Sequence, residues 1–253
     1  AAIIEGEPAG PLAVVLSASR GVTDALLTLV AAAERQEDTA PALAGLRTRH
    51  ADMAAALCPE AEARAYTSAL DADCQDVAAL LQAVRLARSA SPATSDLVVG
   101  FGELWSTRLF ARALVARGRR PGVRWVDARD MIEVEWGHLG PAVRWEASRT
   151  KAQRVISAES ATTLIVPGFI ARDPQGIQTT LGRNGSDFSA SILGDLLSAS
   201  EIHIWTDVDG VLSADPRRVP DARVIDALSY YEAMELAYFG AKVIHPQTMA
   251  PAV

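Results

Sequence analysis

Leu12-Ala13-Val14-Val15-Leu16-Ser17, followed at once by Ala18-Ser19-Arg20-Gly21-Val22-Thr23, decides the fold class of this chain. The first six residues are a short apolar run of β type. The small-residue turn after them leads into a helix expected to start near Thr23, a good N-cap with Asp24 in the first turn. Strand, tight turn and helix in that order make the opening half of a parallel α/β unit. Similar pieces recur along the chain. Leu97 to Val99 reads as a strand fragment entering Gly100-Phe101-Gly102-Glu103, Val123 to Val126 as a short strand, and Glu201 to Trp205 as an alternating, half-buried strand. Thr162 to Phe169 is strongly apolar, and Pro167 puts its end near the rim of the sheet.

Helical signals fall between and after these runs. Trp105 to Arg117 reads as a helix closed by Gly118, and Ser186 is the expected N-cap of a helix through Leu197. Ser229-Tyr230-Tyr231-Glu232 forms a capping box whose helix should stop at Gly240. Ala40 to Ala90 is Ala-rich and helical, with Leu43, Leu46, Met53, Leu57, Leu70, Val77, Leu80, Leu81 and Val84 as expected buried positions and no chemistry of its own. Gly176 to Thr180 is a hairpin or a loop, and Ile132 to Lys151 yields no assignment. The pattern predicts a three-layer α/β/α sandwich with a mainly parallel sheet and ligands at the strand carboxyl ends.

Composition narrows the function. At 253 residues, 49% hydrophobic and 22% charged, the chain can bury a sizeable core as an ordinary globular protein. A net charge of −7 argues against a nucleic-acid partner, which needs a basic face to displace counterions. No apolar run approaches eighteen residues and no signal peptide is evident, so we expect no membrane span and a cytoplasmic location. Cys58 and Cys74 have no companions at metal-ligand spacing and read as reduced thiols.

Anion-binding chemistry is concentrated between Thr179 and Lys242. Arg183 stands between Gly182 and Gly185 just before a helix, where a guanidinium fork and free N–H groups would together hold a carboxylate or phosphate. Asp187 is either a first-turn helix charge or a group that orients an amine or a lysine. Thr206-Asp207-Val208-Asp209-Gly210 follows the expected strand at Trp205, and Asp215-Pro216-Arg217 is a turn placed to meet phosphate; each is equally readable as a plain turn. Only two of the 24 basic residues are lysines, Lys151 and Lys242, and Lys242 follows Phe239-Gly240-Ala241, where a compact charge could reach a phosphate.

Four segments together resemble the signature regions of aspartate kinases: Thr179 to Asp187, Ile204 to Val211, Ala214 to Arg217 and Tyr238 to Pro246. Val14 to Thr23 and Gly102 to Ser106 are similar to earlier motifs of that family, and Asn184 resembles the kinase half of bifunctional aspartokinase/homoserine dehydrogenases. The resemblance implies an amino-acid-kinase fold that moves the γ-phosphoryl group of ATP to the β-carboxylate of L-aspartate, forming 4-phospho-L-aspartate at the start of lysine, threonine and methionine synthesis. Glutamate and N-acetylglutamate kinases of the same fold, and a silent ligand-sensing module, are the alternatives. It further implies that Arg183 takes the substrate α-carboxylate, that Glu103 and Asp187 hold its ammonium, and that Thr23, Phe169, Asn184, Gly185 and Ser186 line the pocket. Arg183 and Asp187 are the catalytic expectations. Thr206, Asp207, Leu212, Arg217 and Lys242 would hold the nucleotide, with Mg²⁺ bridging its phosphates and no metal ligand set in the protein. Leu212 stands where many relatives place Tyr. The family's opening Lys-Phe-Gly-Gly-Thr-Ser motif is not found upstream of Leu12, and Val253 falls before the kinase domain's last strand. We therefore expect residues 1–253 to be a kinase fragment, with an aspartate-binding half to about residue 200, a nucleotide-binding half beyond it, no regulatory domain, and no activity alone. In the whole protein the resemblance implies a homo-oligomer, with fusion to a homoserine dehydrogenase or another pathway enzyme as a further expectation.

Overall fold

A computed structural model describes residues 1–8, 10–137, 140–157, 162–182, 184–206, 210–215, 218–238 and 246–252. Its first elements are α1 (Ala2–Gly6), β1 (Leu12–Leu16), α2 (Val22–Glu34), α3 (Ala40–Leu57), α4 (Glu60–Ala87), α5 (Pro92–Arg117) and β2 (Val123–Trp125). They are followed by β3 (Val134–Gly137), β4 (Gly140–Val143), α6 (Trp145–Ser157), β5 (Thr163–Pro167), β6 (Ile170–Arg172), β7 (Gln178–Thr180), α7 (Gly185–Leu196), α8 (Tyr230–Tyr238) and α9 (Pro246–Met249).

The central sheet has the order β1-β5-β2 and is parallel throughout, with Leu12 opposite Thr163, Leu16 opposite Pro167, and Val123 opposite Thr163 on the other side. Every residue of β5 is buried. Successive side chains point to opposite faces of a strand, so a middle strand covered on both sides is apolar on both, as Leu164 to Pro167 are, while the buried Thr163 hydroxyl accepts from Arg120 Nε at 3.1 Å. Ile165 packs with Val14 and with Ala111 and Leu114 of α5, whereas Leu164 and Val166 join Ile192, Leu193 and Leu196 of α7. Burying a side chain such as Ile165 is worth roughly 1.5–3 kcal/mol. The sandwich expected from the sequence is therefore present, with α5 over one face and α7 over the other.

A second cluster joins α2, α3, α4 and α5 through Leu26, Leu29, Leu46, Leu70, Leu81 and Trp105. Of the positions expected to be buried, Met53 and Leu80 are only partly covered, and Leu57 is exposed at the end of α3. His50 lies fully buried in this layer, with Nδ1 2.9 Å from the Leu46 carbonyl, no hydrogen-bond partner at Nε2, and its ring edge-on to Trp105 at 5.2 Å. Burial holds its pKa below the ordinary value, against the pull of the Leu46 carbonyl. The unfolded chain thus binds a proton that the folded chain refuses, so stability is lost as pH falls through the ordinary histidine range. Comparing urea midpoints at pH 7.5 and pH 5, we expect His50→Leu to lose less stability than the parent. An equal loss would show that His50 does not titrate on unfolding.

Several expected elements are corrected. Leu97 to Val99 is no strand but the interior of α5, which starts at Pro92 after Ser91, whose Oγ caps it by accepting from the Thr94 amide at 3.1 Å. Val98 and Val99 are buried in the helical layer, and this packing overrides their β preference. Helix α2 begins at Val22, with Gly21 at the N-cap at φ 76° in place of Thr23. Helix α7 begins at Gly185, with Asn184 at the N-cap at φ 54° in place of Ser186. Glu201 to Trp205 keeps its alternation, Ile202 and Ile204 half-buried and the other three exposed, yet pairs with no strand among the described residues. Ile202 seats instead against Gly194 of α7.

Other readings hold. Gly118 closes α5 at φ 63°, and residues 170–180 form the antiparallel β6–β7 hairpin. The capping box is complete, with the Ser229 amide donating to Glu232 Oε2 at 2.8 Å and the Glu232 amide to Ser229 Oγ at 3.2 Å. Its expected stop at Gly240 lies outside the described residues. The unassigned stretch 132–151 contains the β3–β4 hairpin and the start of α6.

Candidate active site

Because β1 and β5 are parallel, their carboxyl ends open on the same side of the sheet. Ser17 follows β1, and Gly168-Phe169 follows β5. Helix α5 brings Glu103 to this edge from one face, and the N-terminus of α7 arrives from the other. Ser17, Thr23, Glu103, Phe169, Gly182, Asn184, Gly185, Ser186 and Asp187 line one open cleft of about 420 Å³. This is the strand-end position favoured for ligands in open α/β sheets.

Close backbone approach shapes the cleft. A Cβ at Gly168 would come within 2.8 Å of the Ser186 Cα, and one at Gly185 within 2.6 Å of the Phe169 ring. Phe169 itself is left-handed at φ 66°, a conformation costing a side-chain-bearing residue roughly 1–2 kcal/mol. Hydrogen bonds hold it there: its amide donates to Ser189 Oγ at 2.9 Å, and its carbonyl accepts from the Leu181 amide at 2.7 Å. Gly168→Ala should lower stability by about 1–3 kcal/mol in urea melts, since the opposing atom is backbone and has little room to yield. An unchanged midpoint would mean that the two loops are not in contact.

Glu103 is the electrostatic focus. Its side chain is only 3% exposed; Oε1 accepts a long 3.4 Å bond from the Ala18 amide, and Oε2 has no partner. Among the described residues no Arg or Lys pairs with it. Burial pushes its carboxyl up to about 7, against the smaller effect of backbone donors. The surrounding turn is fixed: Ser106 Oγ donates to the Ser17 carbonyl at 2.7 Å, Thr107 Oγ1 to the Glu103 carbonyl at 2.7 Å, and Trp125 Nε1 to Thr107 Oγ1 at 2.9 Å. Such a carboxylate is built to receive a cation. Facing it, α7 starts without a side-chain cap, so its first N–H groups lack intrahelical partners and favour an anion. Asp187, in that first turn, has its carboxyl raised by burial. One cleft thus offers a cation site and an anion site side by side.

Of the residues singled out in the sequence, Thr23, Glu103, Phe169, Asn184, Gly185, Ser186 and Asp187 are brought together here. Arg183, Asp207, Arg217 and Lys242 lie outside the described residues. Thr206 is exposed and Leu212 is half-buried in an isolated bridge to Val224; neither lines the cleft. Lys151 is engaged elsewhere, paired together with Arg144 to the buried Glu133. Ser17 was missed, although a small polar residue at the end of a parallel strand was a usable signal.

The sequence pattern of the amino acid kinase family matches residues 2–253. The chain belongs to the amino acid kinase family. The chain is 39% identical over 257 residues to the chloroplastic bifunctional aspartokinase/homoserine dehydrogenase 1 of Arabidopsis thaliana, covering 99% of the chain and 28% of that protein. It is 36% identical over 242 residues to lysine-sensitive aspartokinase 3 of Escherichia coli, covering 95% of the chain and 52% of the relative. Its fold superposes on the crystal structure of E. coli aspartokinase III in complex with aspartate and ADP with a TM-score of 0.83 at 33% identity, over 95% of this chain and 52% of that one. This family member thus spans between about a quarter and about half of these relatives. Among its described residues no helix is long and apolar enough to cross a membrane.

Proposed function

We propose that this chain is the catalytic unit of an aspartate kinase, transferring the γ-phosphoryl group of ATP to the β-carboxylate of L-aspartate. The observation that carries the reading is the buried Glu103 carboxylate with its unpartnered Oε2, set in one cleft with the start of α7. A free amino acid supplies an ammonium for Glu103 and an α-carboxylate for the N–H groups and Arg183. An N-acylated acceptor would leave the Glu103 charge buried and uncompensated, which disfavours it. Asp187 supports the ammonium, Phe169 and Thr23 bound the side-chain path, and Asn184, Gly185 and Ser186 bring backbone close to the substrate.

The acceptor β-carboxylate is already ionised at neutral pH and needs no general base. One of its oxygens forms the new bond to the γ-phosphorus as the bond to the bridging oxygen breaks and ADP departs, so positioning and charge neutralisation supply the rate. Thr206, Asp207, Leu212, Arg217 and Lys242 are the residues we assign to the nucleotide, in a half beginning near residue 201. Mg²⁺ fits as a companion of the phosphates, for such a cation keeps waters and phosphate oxygens as most of its ligands. Among the described residues no three acidic, His or Cys side chains gather as a cage. The complex of E. coli aspartokinase III with aspartate and ADP supports both ligands. Fusion to a homoserine dehydrogenase, as in the plant relative, homo-oligomerisation and a cytoplasmic location remain parts of the same proposal.

The test is aspartate-dependent ADP release by the protein containing this chain, with hydroxylamine trapping the acyl phosphate as its hydroxamate. Hydroxamate should form with L-aspartate and not with N-acetyl-L-glutamate. ADP release that ignores aspartate would overturn the assignment.

A further inference from the structure

The parallel ladder of β1 ends at Leu16, which lies opposite Pro167 and whose carbonyl accepts from the Gly168 amide at 2.9 Å. Beyond it Ser17 and Ala18 belong to no strand, so contacts with α5 decide where their turn lies. Ser106 stands three residues after Glu103 and four after Gly102, which puts the three on one face of that helix. Each of them meets the turn. A Cβ at Gly102 would lie 3.0 Å from the Ala18 Cβ and 3.3 Å from Val22 Cγ1, so an added methyl would press the turn outward. Glu103 Oε1 accepts from the Ala18 amide at 3.4 Å. The Ser106 hydroxyl lies 2.7 Å from the Ser17 carbonyl and 3.2 Å from the Glu103 carbonyl of its own helix. Its single proton favours the shorter contact, which is the one that joins two elements. Helix α5 is itself tied to the sheet at this level, with Trp125 Nε1 donating to Thr107 Oγ1 at 2.9 Å. The turn is therefore the part that yields when the tie is lost.

We propose that Ser106 is a positioning residue: its hydroxyl clamps the Ser17–Ala18 turn onto α5 and thereby sets the spacing between the Ser17 wall of the cleft and the Glu103 carboxylate. Ser106 and Gly102 lie outside the cleft lining, whereas Ser17 and Glu103 belong to it. Without the clamp the Ser17 carbonyl loses this donor, the turn lifts, and the Ala18 amide leaves an oxygen that it reaches only at long range. The acceptor amino acid then meets a cleft widened at its ammonium end. The residues assigned to the nucleotide begin at Thr206, on other segments, and are spared. The inference rests on the aspartate kinase reading for its kinetic consequence and on geometry alone for its structural one.

Ser106→Ala and Gly102→Ala, with Ser106→Thr as the variant that keeps the hydroxyl, test it in the full-length protein. Ser106→Ala should raise the aspartate concentration for half-saturation by about fivefold or more while the ATP value changes by less than about twofold. Gly102→Ala, which presses on the same turn from the neighbouring position, should act in the same direction, and it decides the kinetic question if Ser106→Ala does not fold. Ser106→Thr should match the parent. Amide exchange in the segment 16–22 should speed up in Ser106→Ala and stay at the parent's rate in Ser106→Thr. Unchanged aspartate saturation, a Ser106→Thr variant as impaired as Ser106→Ala, or aspartate and ATP weakening together in step with the melting temperature, would overturn the proposal. If the parent shows no aspartate-dependent turnover, the functional reading fails first and the exchange data decide this one: unaltered protection of 16–22 in Ser106→Ala refutes it.

Discussion

Glu103→Gln should raise the aspartate concentration needed for half-saturation by about a hundredfold or more, and should at the same time make the ligand-free protein more stable at pH 8. Both effects have one cause. Lifting the carboxyl from 4.5 to about 7 means that the empty site stores the cost of a buried, uncompensated charge. The folded state binds more protons at this group than the unfolded state between those values, so the contribution of Glu103 to stability is fully present below about pH 4.5 and is lost as pH rises toward 7. At pH 8 the stored cost is roughly 3 kcal/mol, and the neutral amide releases it. On the aspartate kinase proposal the ammonium of the acceptor offsets that cost on binding, which the amide cannot reproduce. Thermal melts of the free protein at pH 5 and pH 8, with aspartate saturation curves beside them, check the pair. In the parent, aspartate binding should weaken by about tenfold for each pH unit below 7, because Glu103 must first lose its proton. Glu103→Gln should flatten that dependence. A variant that loses stability at pH 8 while keeping aspartate saturation would show the carboxylate to be structural.

Arg183→Ala is expected to abolish aspartate saturation and to leave ATP binding nearly intact. Its neighbours in sequence, Gly182 on one side and Asn184 and Gly185 on the other, all line the cleft. On the aspartate kinase proposal its guanidinium is the partner of the acceptor's α-carboxylate, and loss of one partner of a desolvated charge pair costs about 2–5 kcal/mol. Nucleotide binding measured by calorimetry should change little. Equal loss of aspartate and ATP would contradict the assigned role.

The sheet was legible because β1 and β5 announce themselves: a central parallel strand is apolar on both faces, and Leu164 to Pro167 supplies an unbroken apolar run. Leu97 to Val99 was misread because three apolar residues beside a glycine look the same in a strand and in a buried helix. Its place in α5 was settled by packing many residues away in sequence. The alternation of Glu201 to Trp205 was real, but a ladder needs a partner that no local pattern supplies. At the cleft, the Gly182 to Asp187 segment stood out by its glycines and charges. Glu103 and Thr23 gain meaning only when the parallel sheet brings residues 17, 23, 103 and 169 to one edge. The N-caps of α2 and α7 were each misplaced because Gly21 and Asn184 start these helices from the left-handed region, with no capping side chain to mark the position.

Comparing L-aspartate with N-acetyl-L-aspartate by calorimetry, on the parent and on Glu103→Gln at pH 8, most directly tests whether the buried carboxylate receives the acceptor's ammonium. The parent should prefer the free amine by about a hundredfold or more, and the variant should lose most of that preference. An undiminished preference in Glu103→Gln would place the ammonium elsewhere and contradict the account.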